Sequence, residues 1–463
     1  LAGVLAAATD KPRVGLLLPT GVGFAAAFYA TLAAGKTVVP INFLLGDRET
    51  AHIIADSGID TIVSAPPLAE RLKALPVKVV DLAALAAAAG PDAPAVTKLS
   101  MPETRPDDVA VLMYTSGTSG LPKGVILTYA NLAADVEAAI AHARLDREHK
   151  FLGVLPLFHS TGMLATLLAP TELMATVVYQ GRFSPAGLLG AIKEHALSVI
   201  VAVPSMYGAV ARLKSAGPAD VAHVYALLSG GEPLPGNVQE AFTAKFGRPL
   251  MEGYGLTETI GPISFNVPGR HKVGSVGPLI PNTAVKFVGD DGAELPTDPA
   301  RPAAADGEVW LKGPMIMKGY HHLPAETAEA LTPDGYFKTG DLGHLDADGY
   351  LYITGRKKDL IIVAGEKAVP REIEEALLTH PAVAQAAALG RKDPSRGEVV
   401  VAFVAAKEGQ TVKPDELRDH CRQQGLVQWK IPREVFVVDA LPLSPTGKVL
   451  KRVLAERLAA EPG

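Results

Sequence analysis

The sequence predicts an α/β protein: a large N-terminal domain of layered αβ sheets with a β-rich subdomain, then a small α+β C-terminal domain. Three observations carry that expectation. Apolar β-rich runs alternate with Ala-rich stretches of helical length through the first half of the chain. Turn signals crowd together from about residue 279 to 355, and a basic knot, Arg356-Lys-Lys-Asp359, then sets off a terminal piece with a pattern of its own. A length of 463 residues leaves room for about three folding units of ~150 residues, and so for a substantial core and a cleft.

Taken in order, Val14–Leu18, Thr37–Ile41 and Leu197–Val203 are continuous apolar runs, as expected of parallel strands buried on both faces. Small and hydroxyl-bearing residues follow such strands at the ends where open α/β sheets bind ligands. Gly23–Ala34 and Leu132–Ala143 have helical length and composition, and Ala83–Ala95 reads as a surface connection. The β-rich subdomain, 279–355, has turns at Asp290-Asp-Gly, Pro333-Asp-Gly and Asp346-Ala-Asp-Gly. A helix is predicted over Pro370–Leu378. The expected division is 1–356 and 357–463.

Composition excludes several classes of function. With 48% hydrophobic and 20% charged residues the chain folds rather than staying disordered. Lys plus Arg (44) against Asp plus Glu (49) gives a formal charge of −5, too small and too mixed for a phosphate-tracking surface, so nucleic acid is not an expected partner. Cys421 is the one cysteine; disulfides, CxxC redox pairs and cysteine-cage zinc are excluded, and a reducing cytoplasm is the expected location. Val14–Gly35 is uncharged, but Pro19, Gly21 and Gly23 interrupt it, so no integral membrane segment is expected and peripheral membrane contact is left open. Leu1 opens the sequence without a basic segment ahead of an apolar one, so no signal peptide is read. Oligomeric state is not read.

Gly21-Val-Gly23-Phe-Ala-Ala26 fits the G-x-G-x-x-A form of a dinucleotide site. The next strand, however, ends in Asn42 rather than an acid for the ribose, and a plain strand-to-helix turn is the better reading; a nicotinamide oxidoreductase stays as an alternative. A denser motif is Tyr114-Thr-Ser-Gly-Thr-Ser-Gly-Leu-Pro-Lys-Gly124, directly after the apolar run Val109–Met113. Gly117 and Gly120 let backbone N–H groups approach phosphate oxygens, Thr115, Ser116, Thr118 and Ser119 add hydroxyl donors, and Lys123 adds a charge. It is no Walker loop, because Pro122 stands where that pattern needs Gly. Further on, Tyr254 can stack an adenine that Gly230 and Gly231 let approach, and Thr257 and Glu258 offer oxygens to a phosphate-bound Mg²⁺.

The chain resembles the adenylate-forming enzymes: acyl-CoA synthetases, luciferases and nonribosomal-peptide adenylation domains. The motifs that carry the resemblance are YTSGTSGLPKG, LPLFHSTG (155–162), SGGEPLP (229–235), GYGLTET (253–259), YFKTGDLGHLDADGYLYITGRKKDLI (336–361) and PLSPTGKVLKR (442–452). It implies ATP, Mg²⁺ and coenzyme A. It places Glu232, Pro233 and Gly255 beside Tyr254 and the glycines in the nucleotide site, and gives Asp341 and Arg356 to the ribose and phosphates. Thr115 and Glu258 would hold the metal, with Thr257 and Glu258 also counted as catalytic. Lys448 matches the catalytic lysine that bridges the substrate carboxylate and the α-phosphate, where a mobile ammonium offsets repulsion between two oxyanions. Lys358 matches the hinge, Gly365 the glycine along the pantetheine arm, and His159 either gates the pantetheine channel or packs in the core.

The implied reaction makes an acyl-adenylate and pyrophosphate, and then a thioester with release of AMP. Amino-acid-activating relatives have an Asp where His159 stands; acetate- and propionate-specific relatives have a Trp where Gly255 stands. The candidate acyl pocket, His159, Ser160, Val203, Met206, Gly255 and Leu256, lies in apolar or small segments with no Arg or Lys for a second carboxylate. A medium- to long-chain fatty acid is therefore expected, with an aryl acid such as a cinnamate as the alternative. After Gly365-Glu366 the family's usual Asn, β-branched residue and Tyr are replaced by Lys367-Ala-Val369. The family's first tens of residues have no counterpart before Leu1.

Overall fold

A computed structural model describes residues 1–88, 102–115, 121–297, 306–443 and 449–460. These residues form four sheets in the predicted mixed α/β arrangement, a large N-terminal domain and a smaller C-terminal one. The first sheet has seven strands, with Lys78–Asp81, Thr61–Ser64, Arg13–Leu17, Thr37–Pro40 and Val109–Thr115 adjacent in that order and parallel. Lys123–Thr128 then returns antiparallel to Val109–Thr115, and the two-residue strand Gly319–Tyr320 closes that edge. The second sheet orders Thr176–Tyr179, Lys150–Gly153, Val199–Ala202, Ala226–Ser229 and Met251–Gly255 in parallel, with Pro262–Phe265 antiparallel at the edge. Burial at every position of Thr37–Pro40, Thr61–Ser64 and Val199–Ala202 explains the unbroken apolar runs there.

Between these sheets lies the helix Tyr129–Ala143. Thr128 Oγ1 accepts from the Asn131 N–H and Asn131 Oδ1 accepts from the Thr128 N–H, so two orphan donors of the first turn are satisfied reciprocally. This cap starts the helix three residues before the expected Leu132. Asn131 Nδ2 also donates to the Pro314 and Ile316 carbonyls, both at 2.8 Å, tying the helix start to the segment that leads into Gly319–Tyr320.

The β-rich region is a six-stranded sheet, Gly277–Pro278, Tyr350–Arg356, Phe337–Leu345, Gly307–Lys312, Ala284–Val288 and Glu294–Leu295. Within 279–355, Gly319–Tyr320 departs from the expectation by joining the first sheet, and Pro324–Ala330 is a helix. Leu82–Ala88 is also helical rather than part of a surface connection, and the rest of that stretch to Ala95 falls outside the described residues.

The C-terminal part has its own five-stranded sheet, in which Gly397–Ala406 is central and pairs with Val383–Asp393, Ile361–Val363 and Glu434–Val438, and its own apolar clusters. The helix Pro370–Leu378 begins on a Pro in the first turn, where the missing N–H costs nothing. Cys421 is fully buried in the helix Pro414–Gln423. Contacts back to the β-rich sheet include Arg371 Nη1 donating to the Ile353 carbonyl at 2.6 Å and an ion pair between Lys367 and Asp290. No described helix is long and apolar enough to cross a membrane.

Candidate active site

The hydroxyl-rich loop joins two strands of the first sheet. Thr115 ends one, Lys123 begins the other, and the two are register partners. Ser116, Gly117, Thr118, Ser119 and Gly120 lie outside the described residues, as does Lys448. Beneath the loop, the Tyr114 hydroxyl donates to Asp56 Oδ2 at 2.5 Å; burial first, and then this carboxylate, push the phenol pKa upward.

Opposite this hairpin, the second sheet delivers two motifs at the C-terminal ends of adjacent strands. Gly230 and Gly231 follow Ala226–Ser229, with Glu232 half-buried and Pro233 exposed after them. Tyr254 and Gly255 end the strand Met251–Gly255. The Tyr254 hydroxyl donates to Asp341 Oδ2 at 2.6 Å, and Arg356 Nε reaches Asp341 Oδ1 at 2.8 Å. Asp341 and Arg356 are opposite each other across the antiparallel pair Phe337–Leu345 and Tyr350–Arg356. Gly340, at φ +72°, turns the chain, and Thr339 Oγ1 accepts from the Asp341 N–H at 3.0 Å. The Asp341 charge raises the Arg356 pKa, and burial followed by Asp341 raises that of Tyr254. The phenol is thus anchored at its oxygen, which leaves its ring to present a face.

Thr257 and Glu258 form a one-turn 3₁₀ helix just beyond. Burial, the largest effect, raises the Glu258 pKa, while Tyr320 donates to Oε1 at 2.8 Å and opposes that rise. Tyr320 pairs with Val125 in the strand that begins at Lys123, and Lys123 Nζ stands 5.6 Å from the Tyr320 ring centroid. One tyrosine therefore couples the acid to the loop hairpin. Sequence motifs did not mark it. Ile260 follows at φ +69°, strained for a β-branched side chain and fully buried. Among the described residues no group of three or more metal-ligating side chains occurs. The Glu258 carboxylate, one oxygen engaged by Tyr320, and the Thr115 hydroxyl are hard oxygen donors of the kind Mg²⁺ takes.

An apolar cavity extends from Gly230, Tyr254 and Gly255 into the second sheet. One wall is the sheet itself, through Phe151, Val199, Val201 and Leu228; another is Ala139, Ile140 and Ala143 of the helix Tyr129–Ala143. The third comes from a continuous helical run, Ser160–Met163, the π-helix Leu164–Leu168 and Ala169–Leu173. Its i→i+5 winding places Leu164 and Ala169 on the same lining face. Of the expected pocket residues, Ser160 and Gly255 line the cavity. His159, Val203, Met206 and Leu256 are not among its lining. Val203 and Met206 pack against the second-sheet core, and Leu256 packs against the first. His159 is exposed at the start of its helix, which removes the core-packing alternative for it. The alanine walls carry no motif, and in sequence they read only as good helix formers.

Gly255 is held by close approach. A Cβ there would come within 2.0 Å of the Gly261 carbonyl oxygen, on the cavity's far lip. Lys358 lies in the exposed 3₁₀ turn Lys357–Asp359, directly after Arg356. Gly365, at φ +89°, is at the exposed tip of the hairpin formed by Ile361–Val363 and Glu366–Ala368.

A family model described as AMP-binding enzyme matches residues 1–321, and one described as AMP-binding enzyme C-terminal domain matches 372–448. A sulfoacetate–CoA ligase of Cupriavidus necator is 36% identical over 447 residues, spanning 94% of this chain and 86% of the relative. A feruloyl-CoA synthase of an Amycolatopsis species is 34% identical over 464 residues, spanning 99% and 91%. Among solved structures, o-succinylbenzoate coenzyme A synthetase from Bacillus subtilis in complex with ATP and a magnesium ion superimposes with a TM-score of 0.86 at 31% identity, covering 98% of this chain and 92% of that one.

Proposed function

From the premise that the chain belongs to the AMP-binding enzyme family, as an AMP-forming acid–thiol ligase, we propose that it activates an aliphatic carboxylic acid and transfers it to coenzyme A. The observation that carries the substrate class is the cavity. Its lining runs from Tyr254 and Gly230 into Val, Leu, Phe and Ala side chains and includes no Arg or Lys. A sulfonate or second carboxylate would be buried there without a counter-charge. An aryl acid is the second reading, favoured by the feruloyl-CoA synthase relative.

In this reading Tyr254 stacks the adenine against Gly230 and Gly231, with Glu232, Pro233 and Gly255 completing the nucleotide edge. Asp341 and Arg356 take the ribose and phosphates. Asp341 is oriented for this by its bonds to Tyr254 and Arg356. The loop Thr115–Lys123 holds the β- and γ-phosphates. Thr115 and Glu258 would hold Mg²⁺, which would supply charge neutralisation to the phosphates. The acid's carboxylate oxygen attacks the α-phosphorus and the bond to the β-phosphate oxygen breaks. Lys448 offsets the repulsion between the two anions as they meet, and Thr257 assists at the α-phosphate. The coenzyme A thiolate then attacks the acyl carbonyl and AMP leaves. Buried Cys421, its thiol pKa raised by burial to about 11, is unsuited to that role. Rotation about Lys358 brings Gly365 to the pantetheine arm, which enters past His159. The cytoplasm, with its ATP and coenzyme A, is where we place the reaction.

Pyrophosphate release is measured with ATP and Mg²⁺ across acids from acetate to palmitate plus cinnamate and benzoate, with and without coenzyme A. The expected result is a maximum on an aliphatic acid, enhanced by coenzyme A; a maximum on cinnamate would select the aryl reading. Lys448→Ala is expected to lose pyrophosphate release while thioester formation from a supplied acyl-adenylate largely survives. Equal loss of both half-reactions would remove the lysine's assigned role.

A further inference from the structure

The strand register gives the cavity a scale. Phe151 pairs with Val199, and Val199 with Ala226, so the three form one rung across the second sheet; Val201 and Leu228 form the next, two residues on. Of these, Phe151, Val199, Val201 and Leu228 line the cavity, and Gly230 lies two residues beyond Leu228 at the nucleotide end. From the Ala226 level to Gly230 is four steps, or about 13 Å at ~3.3 Å per residue. An extended alkyl chain with ~1.5 Å bonds near the tetrahedral angle advances roughly 1.25 Å per carbon, so this length holds about ten carbons.

The helical walls leave room for a chain because they include four methyl side chains, Ala139, Ala143, Ala165 and Ala169. At the distal rung Ala143, Phe151 and Val199 are all buried. There the Tyr225 hydroxyl donates to the Ala143 carbonyl at 2.9 Å, pinning the end of the helix Tyr129–Ala143 to the residue that precedes the strand Ala226–Ser229. Leu145, half-buried, fills the corner where helix and sheet meet. A phenylpropenoid acid is shorter than this cavity and would leave the distal rung unfilled, forfeiting contacts there.

We propose that this distal end, Leu145 and Phe151 beneath the Tyr225–Ala143 hydrogen bond, is a chain-length stop that selects straight-chain acids of about ten carbons. The proposal rests on the aliphatic-acid reading above. Each methylene buried before the stop is expected to raise kcat/KM roughly three- to fourfold, and chains that overrun it by four carbons are expected to lose at least tenfold.

The test is the kcat/KM profile for pyrophosphate release on even-numbered acids from hexanoate to hexadecanoate, for the wild type, Leu145→Ala and Ala143→Leu. Leu145→Ala opens the corner and is expected to move the maximum two or more carbons longer; Ala143→Leu fills the bore and is expected to move it shorter. Heat-melting shifts on adding ATP, retained in both variants, establish that each is folded. A wild-type profile that rises through hexadecanoate, or a maximum that neither variant moves, overturns the stop alone. Turnover of cinnamate with none of any straight-chain acid overturns the aliphatic reading as well.

Discussion

Tyr320 shows how one hydroxyl can connect two motifs that sequence reading treats separately. Its bond to Glu258 Oε1 lowers the carboxyl pKa against burial, so Tyr320→Phe should raise that pKa and loosen the cation site. The expected outcome is about a tenfold higher Mg²⁺ concentration for half-maximal ATP–pyrophosphate exchange, given ~1.5 kcal/mol for a hydrogen bond to a charged group. Because Glu258 must be ionised to hold the cation, the acid limb of the rate profile should also move to higher pH. An unchanged Mg²⁺ dependence would show that the bond serves only packing. Glu258 and Tyr254 were legible as candidate site residues from their chemistry, whereas Asp341 and Arg356 were legible only through the family resemblance, since an Asp in a turn is otherwise an ordinary surface residue. Their mutual bonds were not legible. That Asp341 faces Arg356 follows from a hairpin register with a bulge between Leu342 and Gly343, and register is set by pairing that no local motif encodes.

At the level of elements, the parallel strands and the helix Pro370–Leu378 were readable because continuous apolar runs and an N-terminal Pro leave strong local signals. Leu82–Ala88 was misread: its Ala-rich composition suits a helix as well as a tether, and Asp81 Oδ1 accepting from the Ala83 and Ala84 N–H groups starts the helix. The cavity walls were missed for a related reason, since alanines at 139, 143, 165 and 169 matter only through what they face. The 3₁₀ turn Lys357–Asp359 includes no buried residue, as suits a pivot. Lys358→Pro would fix φ there and is expected to abolish acyl-CoA formation, by at least tenfold, while pyrophosphate release in the first half-reaction is spared; unimpaired acyl-CoA production would refute the hinge.

Across the whole molecule, buried carboxyls tie stability to pH, Glu252 among them. Glu252 is 5% exposed and Oε1 accepts from the Leu234 N–H; burial, the largest effect, pushes its pKa up to about 7, with Leu234 and Arg371 opposing and Glu375 adding to the rise. The folded value thus exceeds the ordinary one, so the folded state binds the proton more tightly. The resulting stabilisation is complete below about pH 4.5 and is lost as pH rises through about 7. Its full size is about 3 kcal/mol. Thermal melts of Glu252→Gln between pH 5 and 8 should show a flatter dependence than the wild type; parallel curves would place the titration elsewhere. Arg371 and Glu375 belong to the C-terminal helix Pro370–Leu378, so this titration also senses how the small domain sits.

Gly255 has a consequence for how such a scaffold changes its diet over generations. Because the Gly261 carbonyl oxygen occupies the space that any side chain at 255 would need, a bulky plug on the strand side requires two coordinated changes, the first of them a backbone shift of Gly261 and Pro262. The helix side imposes no such sequence: if the cavity holds the acyl chain as proposed, each of its alanines could grow by single steps, each shortening the space. On that reading shorter acids would be reached gradually through the helices, whereas a plug at position 255 would need the lip remodelled beforehand.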